Sequence, residues 1–471
     1  MRGSLLWVIG ITLLVGRPTL AQTANDPFES PIPPADDVIV VDFVEFAALP
    51  DIEGDAARMM HLVAEPSTGR LFVSDMRGLL YRVTPDGDRV TLYLDLRSPT
   101  LGLEVESGGR ERGMQGFALH PEFGEPGADG FGRFYTWTDT SQPGRAPGFR
   151  PSGDERAHDT VLHEWTASGP AAAVYDGGPP RELMRFEQPF RNHNGGQLAF
   201  NPLVSAGDAD FGNLYVGSAD GGSGGDPFDM AQDLGSGFGK ILRIDPLGSD
   251  SANGQYGIPA DNPFVDDDNP GTLGEIYASG VRNPQRFAWD AATGDMFVAD
   301  IGQNIVEEVS RVTSGANLGW NTWEGSFRFI SRQEVSLVDP RGEAGLSFPV
   351  VEYGQLDPLL QPRSAAGGLV VNRSARISQL ADLLIFADMP SGEIFYVPAD
   401  SLPQGGQDAI RRILLNDNGT AKTVAQLVRE KNVAQGKDPS ARVDLRFGTD
   451  AEDRIFLLNK ADGIIRLLVS S

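Results

Sequence analysis

A short pattern recurs six times along this chain, and it constrains the fold more than any other feature: a turn Gly or Asp, alternating apolar positions, then a polar or Gly turn. The copies are GRLFVSDMRGLLYRV from Gly69, GRFYTWTDT from Gly132, GNLYVGSADGG from Gly212, GDMFVADIGQN from Gly294, LLIFADMPSGEIFYV from Leu383 and DRIFLLNKADGIIRLL from Asp453. A period of two sends successive side chains to opposite faces of a sheet. In three copies a tight turn (Arg77-Gly78, Ser391-Gly392, Ala461-Asp462-Gly463) leads into a second strand. Intervals of about 60 to 90 residues exceed a compact blade repeat, but four-stranded blades with long inserted loops accommodate them. The pattern predicts an all-β fold, a six-bladed β-propeller of four-stranded antiparallel blades with long inter-strand loops. A pair of β-sandwiches, the alternative, leaves the six spaced copies unexplained.

Composition narrows the class further. Among 471 residues, 57 glycines and 33 prolines punctuate short strands rather than long helices, and 40% hydrophobic content supplies a core. A net charge of −26 excludes general nucleic-acid binding, which needs clustered Lys and Arg to replace phosphate counterions. The absence of cysteine excludes thiolate zinc sites and iron–sulfur clusters. At the amino terminus, Arg2, the apolar run Leu5 to Val15 and the small-residue pattern Thr19-Leu20-Ala21 predict a signal peptide over residues 1–21, hence a periplasmic or secreted protein. Residues 22–50, rich in Pro and acidic residues at their start, read as a flexible lead-in and first strand, and 51–471 as the propeller. No later stretch is long and apolar enough to span a bilayer.

Site chemistry concentrates in three segments: RNHNGGQLAF from Arg191, GSADGGSGGDPFDMAQDLGSGFGKILRIDP from Gly217, and EIYASGVRNPQRFAWDAATGDMFVADIGQNIVEEV from Glu275. Of five histidines, His193 is the one embedded in glycine, where Asn194-Gly195-Gly196 leave room for a planar ligand to approach the backbone. Asp220 and Arg282 sit beside predicted strand ends, where propeller loops from different blades converge. Each also has a structural explanation: a turn histidine, an Asp-Gly-Gly turn, a buried ion pair. The acidic run Asp266 to Asp268 lacks EF-hand spacing and reads as a solvated loop. No glycine fingerprint opens a helix in a βαβ unit, which disfavours a nicotinamide enzyme.

These segments, with RGMQGFALHPEF from Arg112 and SGANLGWNTWEG from Ser314, resemble in order the quinoprotein glucose and sorbosone dehydrogenases, which use pyrroloquinoline quinone (PQQ) and calcium. The resemblance runs from about Met59 to Leu468. It implies a six-bladed propeller that oxidises a sugar hydroxyl and passes electrons to an acceptor the sequence does not identify. It implies His193 as the base, Asp220 as its partner and Arg282 over the quinone oxygens, with Asn283 and Gln285 also at the cofactor. In the same matching, calcium is held by the loop carrying Gly302 and Gln303, while Glu308 matches the carboxylate of a separate structural calcium and Leu318 stands where some members have tyrosine. His120 reads as structural. The carboxyl-terminal third departs from the soluble glucose dehydrogenase pattern of a lysine and a closely spaced arginine pair. Arg442, Arg446 and Lys460 are the nearby cations, with Arg442 and Arg446 taken as cofactor ligands. A cofactor-free binding propeller and a calcium-dependent hydrolase are the competing readings.

Overall fold

The computed structural model describes residues 24–470, so the expected signal peptide lies outside the described residues. Strand β1 (Ile39–Ala48) is followed by β2 to β5 (Met59–Ala64, Leu71–Asp75, Leu79–Val83, Val90–Asp95) and β6 to β9 (Met114–Leu119, Arg133–Thr140, His158–Thr166, Arg181–Gln188). Next come β10 to β13 (Leu198–Phe200, Leu214–Ser218, Lys240–Ile244, Ile276–Ser279) and β14 to β16 (Pro284–Trp289, Met296–Asp300, Val306–Val312). An inserted three-stranded sheet, β17 to β19 (Trp323–Glu324, Phe327–Ser331, Glu334–Ser336), precedes β20 (Val351–Gly354). The chain continues through β21 to β24 (Ala366–Asn372, Leu383–Asp388, Glu393–Pro398, Arg411–Asp417), β25 (Thr420–Lys422), the single α-helix α1 among the described residues (Val424–Ala434), and β26 to β28 (Arg446–Thr449, Ile455–Leu458, Ile464–Val469).

The strands form four-stranded antiparallel units: β6 to β9, β10 to β13, and β14-β15-β16-β20. A 13-stranded sheet subdivides into three more such units at two parallel pairings, β1 with β24 (Ile39–Val41 against Ile413–Leu415) and β2 with β26 (Val63 against Thr449). One of these units is completed from the opposite end of the chain, because β1 pairs antiparallel with β28, Asp42 opposite Val469. First strands are neighbours in space: β2 lies beside β6 and β26, β6 beside β10, β14 beside β11 and β21, and β21 beside β26. The architecture is all-β and consistent with a β-propeller.

Each repeat found in the sequence falls on the second strand of a unit (β3, β7, β11, β15, β22, β27). Five of these strands are buried at every residue, and β7 at all but its first. Both faces are covered by neighbouring units, so such strands read as near-continuous apolar runs, as in Leu383-Leu384-Ile385-Phe386. The core is divided accordingly. Tyr135, Trp137, Leu162, Leu214 and Val216 pack between the second and third units, and Phe297, Val309, Leu384 and Phe386 between the β14 and β21 units.

One expectation about the periphery changes. The lead-in, expected to be flexible, is docked from Ala24 onward: Asn25 exchanges hydrogen bonds with Val335 of β19, Phe28 meets Phe327 edge-on, and the buried Ile32 donates its amide to Asp357. The acid-rich loop at Asp266 to Asp268 is exposed, as expected. No helix among the described residues is long and apolar enough to cross a membrane.

Candidate active site

In an antiparallel unit, the loop entering the first strand and the loop leaving the second lie at the same end. His193 and Gly195 precede β10, Arg282 and Asn283 precede β14, and Arg442 precedes Arg446 at the start of β26. Asp220 follows β11, Gly302 and Gln303 follow β15, and Lys460 follows β27. Topology therefore gathers residues far apart in sequence, and a cavity of about 320 Å³ opens among them, near the lower end of the range of small-molecule sites.

His193 sits in the left-handed region, φ 56°, and is held there by a bond from its amide to Glu111 Oε2 at 3.0 Å. Asn194 reinforces the loop by donating to the Glu111 carbonyl at 2.7 Å. The glycines after it serve packing as well as access: Gly195 lines the cavity, but a Cβ on Gly196 would fall 1.9 Å from the Pro284 carbonyl oxygen of the next unit. His193 Nδ1 lies 2.6 Å from Asp220 Oδ1, and Arg282 Nη2 lies 3.0 Å from His193 Nε2. A carboxylate only accepts and a guanidinium only donates, so the proton resides on Nδ1 and the lone pair on Nε2, at the cavity. Burial alone would raise the Asp220 carboxyl, but His193 and Arg282 outweigh it and hold it below the usual carboxylate value.

Trp320 ties these groups together. Its Nε1 donates to Asp220 Oδ2 at 2.9 Å, and its ring lies 5.5 Å beneath the Arg282 guanidinium. Arg282 also donates to the Ile301 carbonyl at 2.8 Å, and its amide reaches Asp300 at 2.7 Å. Sequence reasoning quoted Trp320 within its motif and gave it no role. Glu111 was likewise passed over, although it directly precedes the RGMQG segment.

The cavity lining is cationic. Arg110, Arg282, Arg363, Arg442, Arg446 and Lys460 face it against the single carboxylate of Glu111, in a protein whose net charge is −26. Burial pushes the Arg446 guanidinium down to about 10, and burial with the Arg446 charge holds Lys460 well below its ordinary value. Anions are favoured partners for such a lining, because they restore charge balance where water is excluded. The cations of the departing carboxyl-terminal third are thus brought together, and Arg110 and Arg363, which sequence reasoning missed, join them. Asn283 and Gln285 line the cavity too, with Gln285 donating to the Gly195 carbonyl at 3.2 Å.

Gly302 and Gln303 line the cavity, and among the described residues no protein donor engages either carbonyl oxygen. Gln303 instead accepts the Gly225 amide at 2.7 Å through Oε1. Two free carbonyls suit a hard cation, although no group of three or more His, Asp or Glu is arranged around a metal among the described residues. Glu308 does not join this set. It is buried behind Arg282 beside a void of about 10 Å³ that it shares with Asp300 and Glu324, and burial with the neighbouring carboxylates Asp300 and Glu352 raises it well above its ordinary value.

The profile of the Glucose / Sorbosone dehydrogenase family matches residues 58–439, most of the chain. The protein belongs to that family. Its similarity to the HIPL1 protein of Arabidopsis thaliana is 30% identity over 370 residues, covering 70% of this chain and 51% of that one. Against the Hedgehog-interacting protein of Homo sapiens it is 30% identical over 230 residues, covering 48% and 29% respectively. The chain therefore spans about half, or less, of the length of these relatives. The PQQ-bound form of aldose sugar dehydrogenase from Streptomyces coelicolor shares the fold, with a TM-score of 0.55 over 93% of this chain and 98% of that one at 18% identity. The family and its structural neighbours are sugar dehydrogenases, while the Hedgehog-interacting relative carries the name of a binding protein.

Proposed function

We propose that this chain is an exported quinoprotein dehydrogenase with six blades, which oxidises a sugar hydroxyl with PQQ and calcium bound in the cationic cavity. The observation that carries this reading is a histidine oriented by Asp220 and Arg282 at a cavity lined by six cations and one carboxylate. PQQ has three carboxylates, which Arg442, Arg446 and Lys460, with Arg110 and Arg363 nearby, are placed to hold, while Gly302 and Gln303 offer carbonyls to calcium. When bound, the quinone supplies a two-electron acceptor for the hydride leaving the hydroxyl-bearing carbon, and calcium polarises it.

The chain's own residues provide the rest. His193 Nε2 takes the O–H proton as the carbonyl forms, and the resulting imidazolium is stabilised by Asp220 through Nδ1. Trp320 keeps Asp220 and Arg282 in register. Arg282, a permanent cation in the cavity lining beside His193, would stabilise negative charge developing on a bound acceptor. Export through a signal peptide over residues 1–21 places this chemistry in the periplasm or outside the cell.

A second reading, a cofactor-free binding propeller, is favoured by the Hedgehog-interacting relative. Mixing purified protein with PQQ and calcium separates the two. A stable quinone absorbance and sugar-dependent dye reduction, both lost in EGTA, are expected. No retained quinone at micromolar cofactor would establish the binding module instead.

A further inference from the structure

The inserted sheet holds part of the cavity wall through one side chain. Glu324, the last residue of β17, is buried with 2% of its surface exposed, and its Oε1 accepts four consecutive backbone amides, those of Gln303, Asn304, Ile305 and Val306, at 2.8, 3.0, 2.9 and 3.0 Å. Successive N–H groups that converge in this way form a concavity for an anion, and here the chain fills it with its own carboxylate. The turn is tight within itself as well, since a Cβ on Gly302 would fall 1.5 Å from the Val306 carbonyl oxygen. Gln303 and Asn304 are also tied by their side chains: Gln303 Oε1 accepts the Gly225 amide and Asn304 Nδ2 donates to the Arg332 carbonyl, both at 2.7 Å.

The direction of these bonds decides where the carbonyls point. In a trans peptide the C=O of one residue and the N–H of the next lie on opposite sides of the chain, and the peptides of this turn are trans. The amide of Gln303 shares its peptide plane with the carbonyl of Gly302, and the amide of Asn304 shares its plane with the carbonyl of Gln303. With both N–H groups committed to Glu324, the two carbonyls face away from it, on residues that line the cavity, and no protein donor among the described residues engages them. The preceding peptide is spent: the Ile301 carbonyl accepts from Arg282 at 2.8 Å, and the Gly302 amide donates to Glu307 at 3.2 Å. The segment that carries Glu324 is fixed in turn, with the Ser326 amide on Glu352 at 2.7 Å and Phe327 edge-on to Phe28 of the lead-in.

We infer that Glu324 is a positioning residue for a hard cation such as calcium: it acts through the backbone, by turning the Gly302 and Gln303 carbonyl oxygens into the cavity and holding them there. Its role is geometric, because what the four amides need is an acceptor oxygen at the reach of a glutamate side chain. The inference rests on the calcium-dependent reading of the cavity proposed above. It gives the insertion β17 to β19 a task in the site as well as in the scaffold.

The test compares the full chain as wild type, as Glu324→Gln, which keeps an acceptor oxygen at the same reach without the charge, and as Glu324→Asp, which keeps the charge and draws back by one methylene. Hydrogen exchange with neither metal nor cofactor present should be at least about tenfold faster over residues 302–306 in Glu324→Asp than in the other two proteins, with rates over β6 to β9 unchanged. In a calcium titration at fixed PQQ, read by retained quinone absorbance, Glu324→Asp should need at least about tenfold more calcium for half-saturation, and Glu324→Gln should stay within about threefold of wild type. Equal exchange over residues 302–306 in all three proteins overturns the inference. A Glu324→Gln variant that loses calcium as far as Glu324→Asp does overturns it too, since charge rather than geometry would then be at work. If Glu324→Asp does not fold, Glu324→Gln decides alone and has to match wild type in both readouts. A wild type that retains no quinone at any calcium concentration defeats the proposed function instead, and the exchange comparison alone then judges Glu324.

Discussion

His193 is held by partners that leave it one protonation pattern: Asp220 fixes the proton on Nδ1, and Arg282 can only meet a lone pair on Nε2. His193→Gln keeps a similar shape and loses the base, so turnover of the reconstituted protein should fall by at least about 10²-fold while quinone binding and the thermal midpoint stay near wild type. Steady-state assays at saturating PQQ check this, and unchanged turnover would remove His193 from the chemistry. Arg282→Lys keeps a charge but loses the fork that spans His193 and the Ile301 carbonyl, and weakens the contact with the Trp320 ring. A large fall in turnover with little change in midpoint is expected. A collapse in stability with normal activity per folded molecule would make the arginine architectural. His193, Asp220 and Arg282 were legible because each lies in a short motif with local chemistry. Trp320 and Glu111 were not, since their roles arise only when separate loops meet: an indole N–H 100 residues from its acceptor and a carboxylate 82 residues from its amide leave no local pattern.

Elements explain both what the sequence announced and what it hid. Second strands declared themselves because burial on both faces demands apolar residues between turn glycines. The first strands that border the site are less apolar, as MQGFAL of β6 and PQRFAW of β14 show, and the repeat pattern passed over them. The docked lead-in was equally silent. Its hold depends on Ile32, Phe28 and Asn25 meeting partners about 300 positions away, while its Pro-rich, acidic composition resembles that of a loose tail. The loop from Ala219 to Gly239, which carries Asp220, has its own anchor: Lys240 is buried and donates to the carbonyls of Met230, Ala231 and Phe238 at 2.8, 3.0 and 2.7 Å. Lys240→Met takes a donor from all three; the Met230 and Ala231 carbonyls keep the amides of Asp233 and Gly280, while that of Phe238 is left unsatisfied at a cost of about 1–3 kcal/mol. Limited proteolysis should then cut between Ala219 and Gly239 before it cuts elsewhere, together with a lower midpoint. Resistance equal to wild type would show that the loop is held by its other bonds.

For the molecule as a whole, buried acids and buried histidines pull the response to pH in opposite directions. Burial raises Asp388 to about 6 and Asp226 to about 6, above the ordinary carboxylate value of 3.8. Between roughly pH 4 and 6 these two groups keep protons in the folded state that the unfolded chain has released, so their contribution to stability falls as pH rises, whereas buried His120, held at about 4, and His163, at about 3, contribute the opposite slope below about 6.5. Each acid contributes on the order of 1–3 kcal/mol. Asp388→Asn isolates the acid contribution: the margin by which the metal-free, cofactor-free wild type exceeds the variant in thermal midpoint should be larger at pH 5 than at pH 7. A margin that stays constant or grows from pH 5 to pH 7 would contradict this assignment.

The pairing of β1 with β28 has a consequence for how the protein is made. The unit containing β26, β27 and β28 lacks its outer strand until β1 arrives, and β1 also lies against β24 of the preceding unit. A chain that emerges amino end first must hold its opening strand without its final partners while five other units assemble, and docking of that strand is the last joint to close. Force on the two ends would first strip the lead-in from Val335 and Asp357, and the same joint would follow, since Asp42 and Val469 sit side by side and tension unzips their ladder one bond at a time.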